Sequence, residues 1–175
     1  MSEDDGATPK EILIESCRRN NISLLNEVLS SPPLSSDAIK IADFLNTTTD
    51  SLGSSALHIA AQYGSYDILD LLLDQEGVEI DHTEPREGDT VVHKAVRYVN
   101  GGGEGGKEVV EILVDAGCDP RIRNKARLRA VDLLDPRCEE VRVVLQQAEL
   151  GYQAGGDVVV EDEGDTAPGS GSESD

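Results

Sequence analysis

Tryptophan is absent from this 175-residue chain, phenylalanine and methionine occur once each, and aromatics make up 3% of it. Any aromatic that recurs at a fixed spacing therefore stands out as a candidate contact. The chain lacks a long apolar run, so no membrane span is expected. Its first residues lack the charged-then-apolar pattern of a secretory signal. Three cysteines, Cys17, Cys118 and Cys138, are an odd number without the paired short spacing of a zinc site or disulfide framework. Reduced thiols are expected, and with them a cytoplasmic and nuclear location. Basic residues are scarce as well, 15 against 35 acidic, for a net charge of −20. Phosphate repulsion at that balance excludes a direct nucleic-acid binder, whereas a basic protein would be attracted.

What the chain does contain is an internal repeat. Gly53-Ser-Ser-Ala-Leu-His-Ile-Ala-Ala-Gln-Tyr-Gly64 returns 35 residues later as Gly88-Asp-Thr-Val-Val-His-Lys-Ala-Val-Arg-Tyr-Val99. A hydroxyl at Ser55 or Thr90 can cap a short helix by accepting from an exposed amide. Ala60 and Ala61 keep that helix thin, and Gly64 ends it in a left-handed turn. A second helix follows from Tyr66 to Leu73, with Ile68, Leu69, Leu72 and Leu73 on one face. A weaker copy runs from Ile14 to Leu29, with Asn20 in the place of Gly64 and Thr8-Pro9 starting its first helix. Another runs from Asn124 to Leu134, where Arg127 replaces the turn glycine, and a last helix from Glu139 to Leu150 closes the stack.

Insertions interrupt the period. Pro32 to Thr49 lengthens the first connection and contains a short helix from Ser36 to Leu45. Gly101 to Gly106 lengthens the turn inside the third repeat and reads as a mobile loop. With no strand before it and Lys107-Glu108 after it, this glycine run does not match a phosphate-binding loop. After Gly151 the composition changes: the last 25 residues hold seven acidic side chains and no basic one. That segment lacks the apolar area to offset the entropy of ordering.

The segments Ser55-Ala-Leu-His58 and Thr90-Val-Val-His93, each leading a small-residue helix, resemble the signature of the ankyrin-repeat family, whose period is about 33 residues. The resemblance implies an all-α ankyrin-repeat solenoid of about four helix-pair repeats with short β-turn fingers. Its expected parts are a flexible N-terminus at 1–8, repeats at about 9–49, 50–83, 84–123 and 124–150, and a disordered acidic tail at 151–175. Ankyrin proteins bind along the finger tips and the solvent face of the inner helices. Here those positions are Arg18, Arg19, Ser51, Leu52, Ser54, Gln62, Tyr63, Arg86, Glu87, Asp89, Arg97 and Tyr98. Tyr63 and Tyr98, one repeat apart, are expected to stack as a column, either as anchors or as filling for the inner-helix surface. Arg121, Arg123, Lys125, Arg127 and Arg129 alternate along one side of an extended finger. They form a contact surface, a solvated finger, or a surface the acidic tail folds back upon.

No catalytic, cofactor or metal constellation is expected. His58 and His93 occupy the same slot of successive repeats, where an imidazole bonds to backbone at the inter-repeat turn. His82, among Asp81 and Glu84, reads as a surface residue. The overall layout, with Asp119-Pro-Arg-Ile-Arg-Asn-Lys125 before the last repeat and an acidic tail, resembles the small fungal ankyrin-repeat escort chaperones of the KH-domain ribosomal protein S-three. This implies a monomer that captures a newly made basic ribosomal protein of the small subunit, keeps it soluble and hands it over. The alternative is an adaptor or inhibitor docking a folded partner such as a proteasome or signalling subunit.

Overall fold

The computed structural model describes residues 6–160, and the side chains of 6–154. Thr8 opens the first helix, α1 (Pro9–Arg19), through a reciprocal cap in which its hydroxyl accepts from Glu11 N and Glu11 accepts from Thr8 N. Asn20 ends α1 in the left-handed conformation at φ 52°, the role its alignment with Gly64 required. α2 (Ile22–Leu29) then runs back. The inserted connection holds a 3-10 turn at Leu34–Ser36 and α3 (Ala38–Thr47), capped by Asp37. α3 is fastened through its second half: Ala42 and Leu45 are buried, and Asn46 bonds Gly77 O and Glu79 N. Ile39, in its first turn, is left 76% exposed.

Three further helix pairs follow: α4 (Ala56–Gln62) with α5 (Tyr66–Leu73), α6 (Val91–Asn100) with α7 (Gly106–Asp115), and α8 (Ala130–Leu133) with α9 (Glu139–Val160). α1, α4, α6 and α8 stack as an inner row, and α2, α5, α7 and α9 as an outer row. Among the described residues there is no strand, only an isolated bridge between Thr49 and Ser55. This is the expected all-α solenoid of four helix pairs. Leu13, Leu25, Ile68, Leu69, Leu72, Val110, Leu113 and Leu145 are fully or almost fully buried in the seam between the rows. Each such side chain contributes about 1.5–3 kcal/mol of burial, and no single pair could cover its own apolar face. Ala60, Ala61 and Ala95 are fully buried and let the inner helices approach closely. Cys17 and Cys118 fill the same seam, and burial pushes their thiols up to about 12, which leaves them unreactive.

Two segments differ from expectation. The glycine run is not a loose loop but is wrapped around the Tyr98 ring. Tyr98 donates to Glu104 O at 2.7 Å, and a Cβ at Gly103 would lie 2.3 Å from the ring. The last helix does not stop at Leu150 but continues to Val160. Tyr152 explains part of this: its hydroxyl donates to Gly117 O and its ring lies 4.9 Å from the Arg121 guanidinium. Residues 1–5 of the expected flexible N-terminus and 161–175 of the expected tail lie outside the described residues.

Candidate protein-binding groove

Each finger is closed by one acceptor side chain that gathers the amides of its own turn. Asp50 Oδ1 accepts from Leu52 N at 2.9 Å and Ser54 N at 3.0 Å. The Glu84 carboxylate accepts from Arg86, Glu87 and Asp89 N at 2.8–3.0 Å. Asn124 Oδ1 accepts from Ala126 N and Leu128 N. A left-handed residue then turns the chain into the inner helix: Gly53 at φ 86°, Gly88 at 71° and Arg127 at 68°. Ser55 and Thr90 cap the helices that follow, as their hydroxyls predicted.

The histidines complete these turns. His58 Nε2 donates to Asp89 O at 3.0 Å, and its Nδ1 meets the Ser55 hydroxyl at 2.8 Å. His93 repeats the pattern with Leu128 O and Thr90, both at 2.8 Å. Pairing to a carbonyl makes Nε2 the protonated nitrogen of each ring. These hydroxyl–imidazole pairs have the make-up of a nucleophile and its base. Both are buried, and every polar atom in them is committed to a cap or a neighbouring repeat. Burial is the main cause that holds His58 down to about 4. His82 is not a detached surface residue: its ring meets His58 edge-on, with centroids 5.7 Å apart.

Between the first two fingers and the exposed sides of α4 and α6 lies a groove of about 380 Å³. It gathers Leu52, Gln62, Arg86, Arg97 and Tyr98 from the expected contact residues, together with Ser54 and Glu87. Lys94 and Glu84 also line it and were not anticipated. The signal for Lys94 was present: it occupies the slot of the buried Ile59 one repeat earlier, and a lysine in an apolar slot needs a counter-ion. It lies 3.6 Å from both Glu87 and Asp89.

Asp89, expected on the groove surface, is fully buried beneath it. Arg97 Nε donates to it at 2.7 Å and Asn124 at 3.0 Å. Burial raises the Asp89 carboxyl, but those hydrogen bonds outweigh it and hold the group below its ordinary value. Burial likewise opposes ionisation of Glu84, and the three amides outweigh it. Glu84, Glu87 and Asp89 bring carboxylate oxygens within 4.8 Å of one another. Lys94 and Arg97 already supply the positive charge there, so the cluster is an ion-pair network under the groove.

The other expected residues are dispersed. Arg18 and Ser51 line a neighbouring hollow with Thr8, Ile14 and Thr49, while Arg19 pairs with Glu15 at 2.8 Å. Tyr63, 48% exposed, stands at the far end of α4 and does not stack on Tyr98, whose ring faces Gly64 and Gly103 instead. The five finger cations do not share a side, because the segment is a turn closed by Arg127 N on Asn124 O. Arg121 chelates Asp119, Lys125 reaches back to Pro85 O, and Arg129 sits between Asp132 and Glu149. Arg123, bonded to Arg127 O, and Arg127 itself are left at the surface.

The sequence matches the family model for ankyrin repeats (3 copies) over residues 13–124. It is 40% identical over 152 residues to an ankyrin repeat-containing protein of Saccharomyces cerevisiae, covering 86% of this chain and 83% of the yeast protein. It is also 36% identical over 92 residues to a transient receptor potential cation channel subfamily A member 1 homolog of Caenorhabditis elegans, covering 53% of this chain and 7% of that protein. Stacked helix pairs, fingers closed at left-handed slots and the family match agree: the chain belongs to the ankyrin-repeat family and is a protein-binding module.

Proposed function

We propose that this module is a non-catalytic escort of a newly made basic protein, of the kind represented by the KH-domain ribosomal protein of the small subunit, in the cytoplasm and nucleus. The observation that carries the docking role is the preformed groove, whose Leu52 and Tyr98 offer apolar surface among polar groups held in place by buried hydrogen bonds. Its charges are balanced within it, so the groove supplies shape while the net charge of −20 steers a basic client. Bound client is thereby kept from polyanions until it is handed over. A direct test mixes the purified chain with that ribosomal protein and adds RNA. The client should stay soluble, and Leu52→Ala with Tyr98→Ala should weaken binding at least tenfold. The proposal fails if the chain shows no affinity, or if an unrelated acidic protein of equal charge solubilises the client as well.

A second use, an adaptor or inhibitor on a folded acidic or neutral partner, draws support from a different observation. Of the 15 lysines and arginines, 11 lie on inner helices or fingers, and Arg86, Arg123 and Arg127 reach the surface there. Binding that persists at high salt, and is lost on Arg86→Ala with Arg127→Ala, would select it.

A further inference from the structure

The turns that join inner to outer helices, at the opposite end of α4 from its finger, carry a patch that the groove does not use. Ile22, Tyr63 and Tyr66 are exposed there by 40%, 48% and 41%. Cross-repeat contacts make it one surface. Asn20 Oδ1 accepts from Ile68 N and its amide donates to Asp67, both at 3.1 Å, joining the first turn to the second. The Tyr98 ring lies against Gly64, so close that a Cβ there would be 2.0 Å from it, and its hydroxyl bonds Glu104 O. That joins the second turn to the third. Tyr63 and Tyr66 therefore lie along this edge, with Tyr98 where it borders the groove.

The charge left unpaired beside these rings is acidic, because Arg18 and Arg19 at the end of α1 pair with Glu15 and Arg97 is held on Asp89. Asp67, Asp70 and Glu104 are exposed, and none of them forms an ion pair among the described residues. Tyr66 and Asp70, four apart on α5, share a face, and Asp67 adjoins Tyr66. Aromatic faces beside unpaired carboxylates suit a guanidinium better than any other protein cation. It is planar, weakly hydrated, stacks on a ring and still pairs with a carboxylate through its edge. An ammonium, more strongly hydrated, gains less from the rings, and an acidic segment is repelled.

We propose that this turn edge docks an arginine-rich protein segment, with guanidinium groups lying on Tyr63 and Tyr66 and paired to Asp67 and Asp70. Under the escort function, on which the occupant's identity rests, the segment belongs to the client, whose folded part fills the groove. The groove runs from the fingers to Gln62 and Tyr98, next to this edge, so one client can touch both. That arrangement also reconciles a charge-balanced groove with a strongly acidic chain.

The test uses the full chain and three fluorescein-labelled 20-residue peptides in which alanine alternates with arginine, lysine or glutamate. Anisotropy titration should show the arginine peptide binding several-fold tighter than the lysine one and the glutamate one not binding. Tyr63→Ser with Tyr66→Ser should weaken arginine-peptide binding about tenfold and erase its advantage over lysine. Asp67→Asn with Asp70→Asn should weaken both cationic peptides. Asp115→Asn with Glu139→Gln, which removes two charges elsewhere on the outer helices, should leave both within twofold. The inference is overturned if the tyrosine pair changes nothing, or if the remote charge pair costs as much as Asp67 and Asp70. Tyrosine-dependent arginine binding by a chain that fails to hold the ribosomal client supports the edge site and removes the escort function alone. Client binding that ignores the tyrosine and aspartate pairs does the reverse.

Discussion

At the scale of single residues, the left-handed slot before each inner helix carries the most information. Gly53 and Gly88 meet it without strain, whereas Arg127 holds φ 68° with a side chain attached, at a penalty of roughly 1–2 kcal/mol. Its backbone bonds, N to Asn124 O and O from Arg123, survive replacement. Arg127→Gly should therefore stabilise the chain by about 0.5–1 kcal/mol after the added entropy of the unfolded glycine is subtracted. A higher urea midpoint at unchanged slope is the expected readout. His58 makes a second residue-scale prediction. Its imidazole is held down to about 4 in the fold against about 6.5 when unfolded. Between those values the unfolded chain binds a proton that the folded chain refuses. The His58 contribution is thus complete above pH 6.5 and is lost as pH falls toward 4. The loss totals about 3 kcal/mol by linkage. Urea titrations at pH 7, 6, 5 and 4.5, with the His58 ring followed by NMR, would show it. A midpoint flat from pH 7 to 5 would contradict it.

At the scale of elements, the ends of helices decide more than their middles. α9 outlasts its apolar pattern because Tyr152 ties its next turn to Gly117 and Arg121. A chain ending at Gly151 loses both contacts, about 1–2 kcal/mol, and should melt a few degrees lower. Tyr152→Phe, which keeps the ring on Arg121, should lose about half of that by the same thermal scan. The inner turn of the third repeat makes a steric prediction. Gly103 has no positive φ, so Gly103→Ala tests only the 2.3 Å approach to Tyr98. It should cost about 1–3 kcal/mol by overpacking and release the Tyr98 hydroxyl from Glu104. An alanine variant with wild-type stability would show that the loop yields freely.

At the scale of the whole molecule, charge is sorted by row. α5 carries Asp67 and Asp70 without a basic residue, while α1, α6 and the fingers hold most of the cations. The far field of the chain is nonetheless set by its total of −20, because acidic groups outnumber the cations and Arg97, Arg121 and Arg129 are neutralised by adjacent carboxylates. Association with a basic partner should therefore slow about tenfold or more between 20 mM and 300 mM salt, while dissociation changes little. Stopped-flow mixing at several ionic strengths measures this. An association rate that rises with salt would mark an acidic partner.

The local grammar of the repeats was legible in the sequence. The 35-residue recurrence marked the repeats, and hydroxyl caps at Ser55 and Thr90, a left-handed Asn20 and one-sided apolar faces each act within about ten residues, so propensity and spacing alone determine them. The histidine role was legible too, because recurrence at one slot points to stacking. The sequence could not decide which polar side chains end up beneath the surface. Asp89 is buried by Asn124, 35 residues away, Lys125 is drawn back to Pro85, 40 away, and Arg129 is taken by Glu149, 20 away. Tyr98 left its expected column because a glycine run beside it opened a closer berth. Alternation along a strand says where a side chain would point in extended backbone, and the finger is a turn. Such pairings depend on how one repeat lies on the next, and only the stacked solenoid settles them.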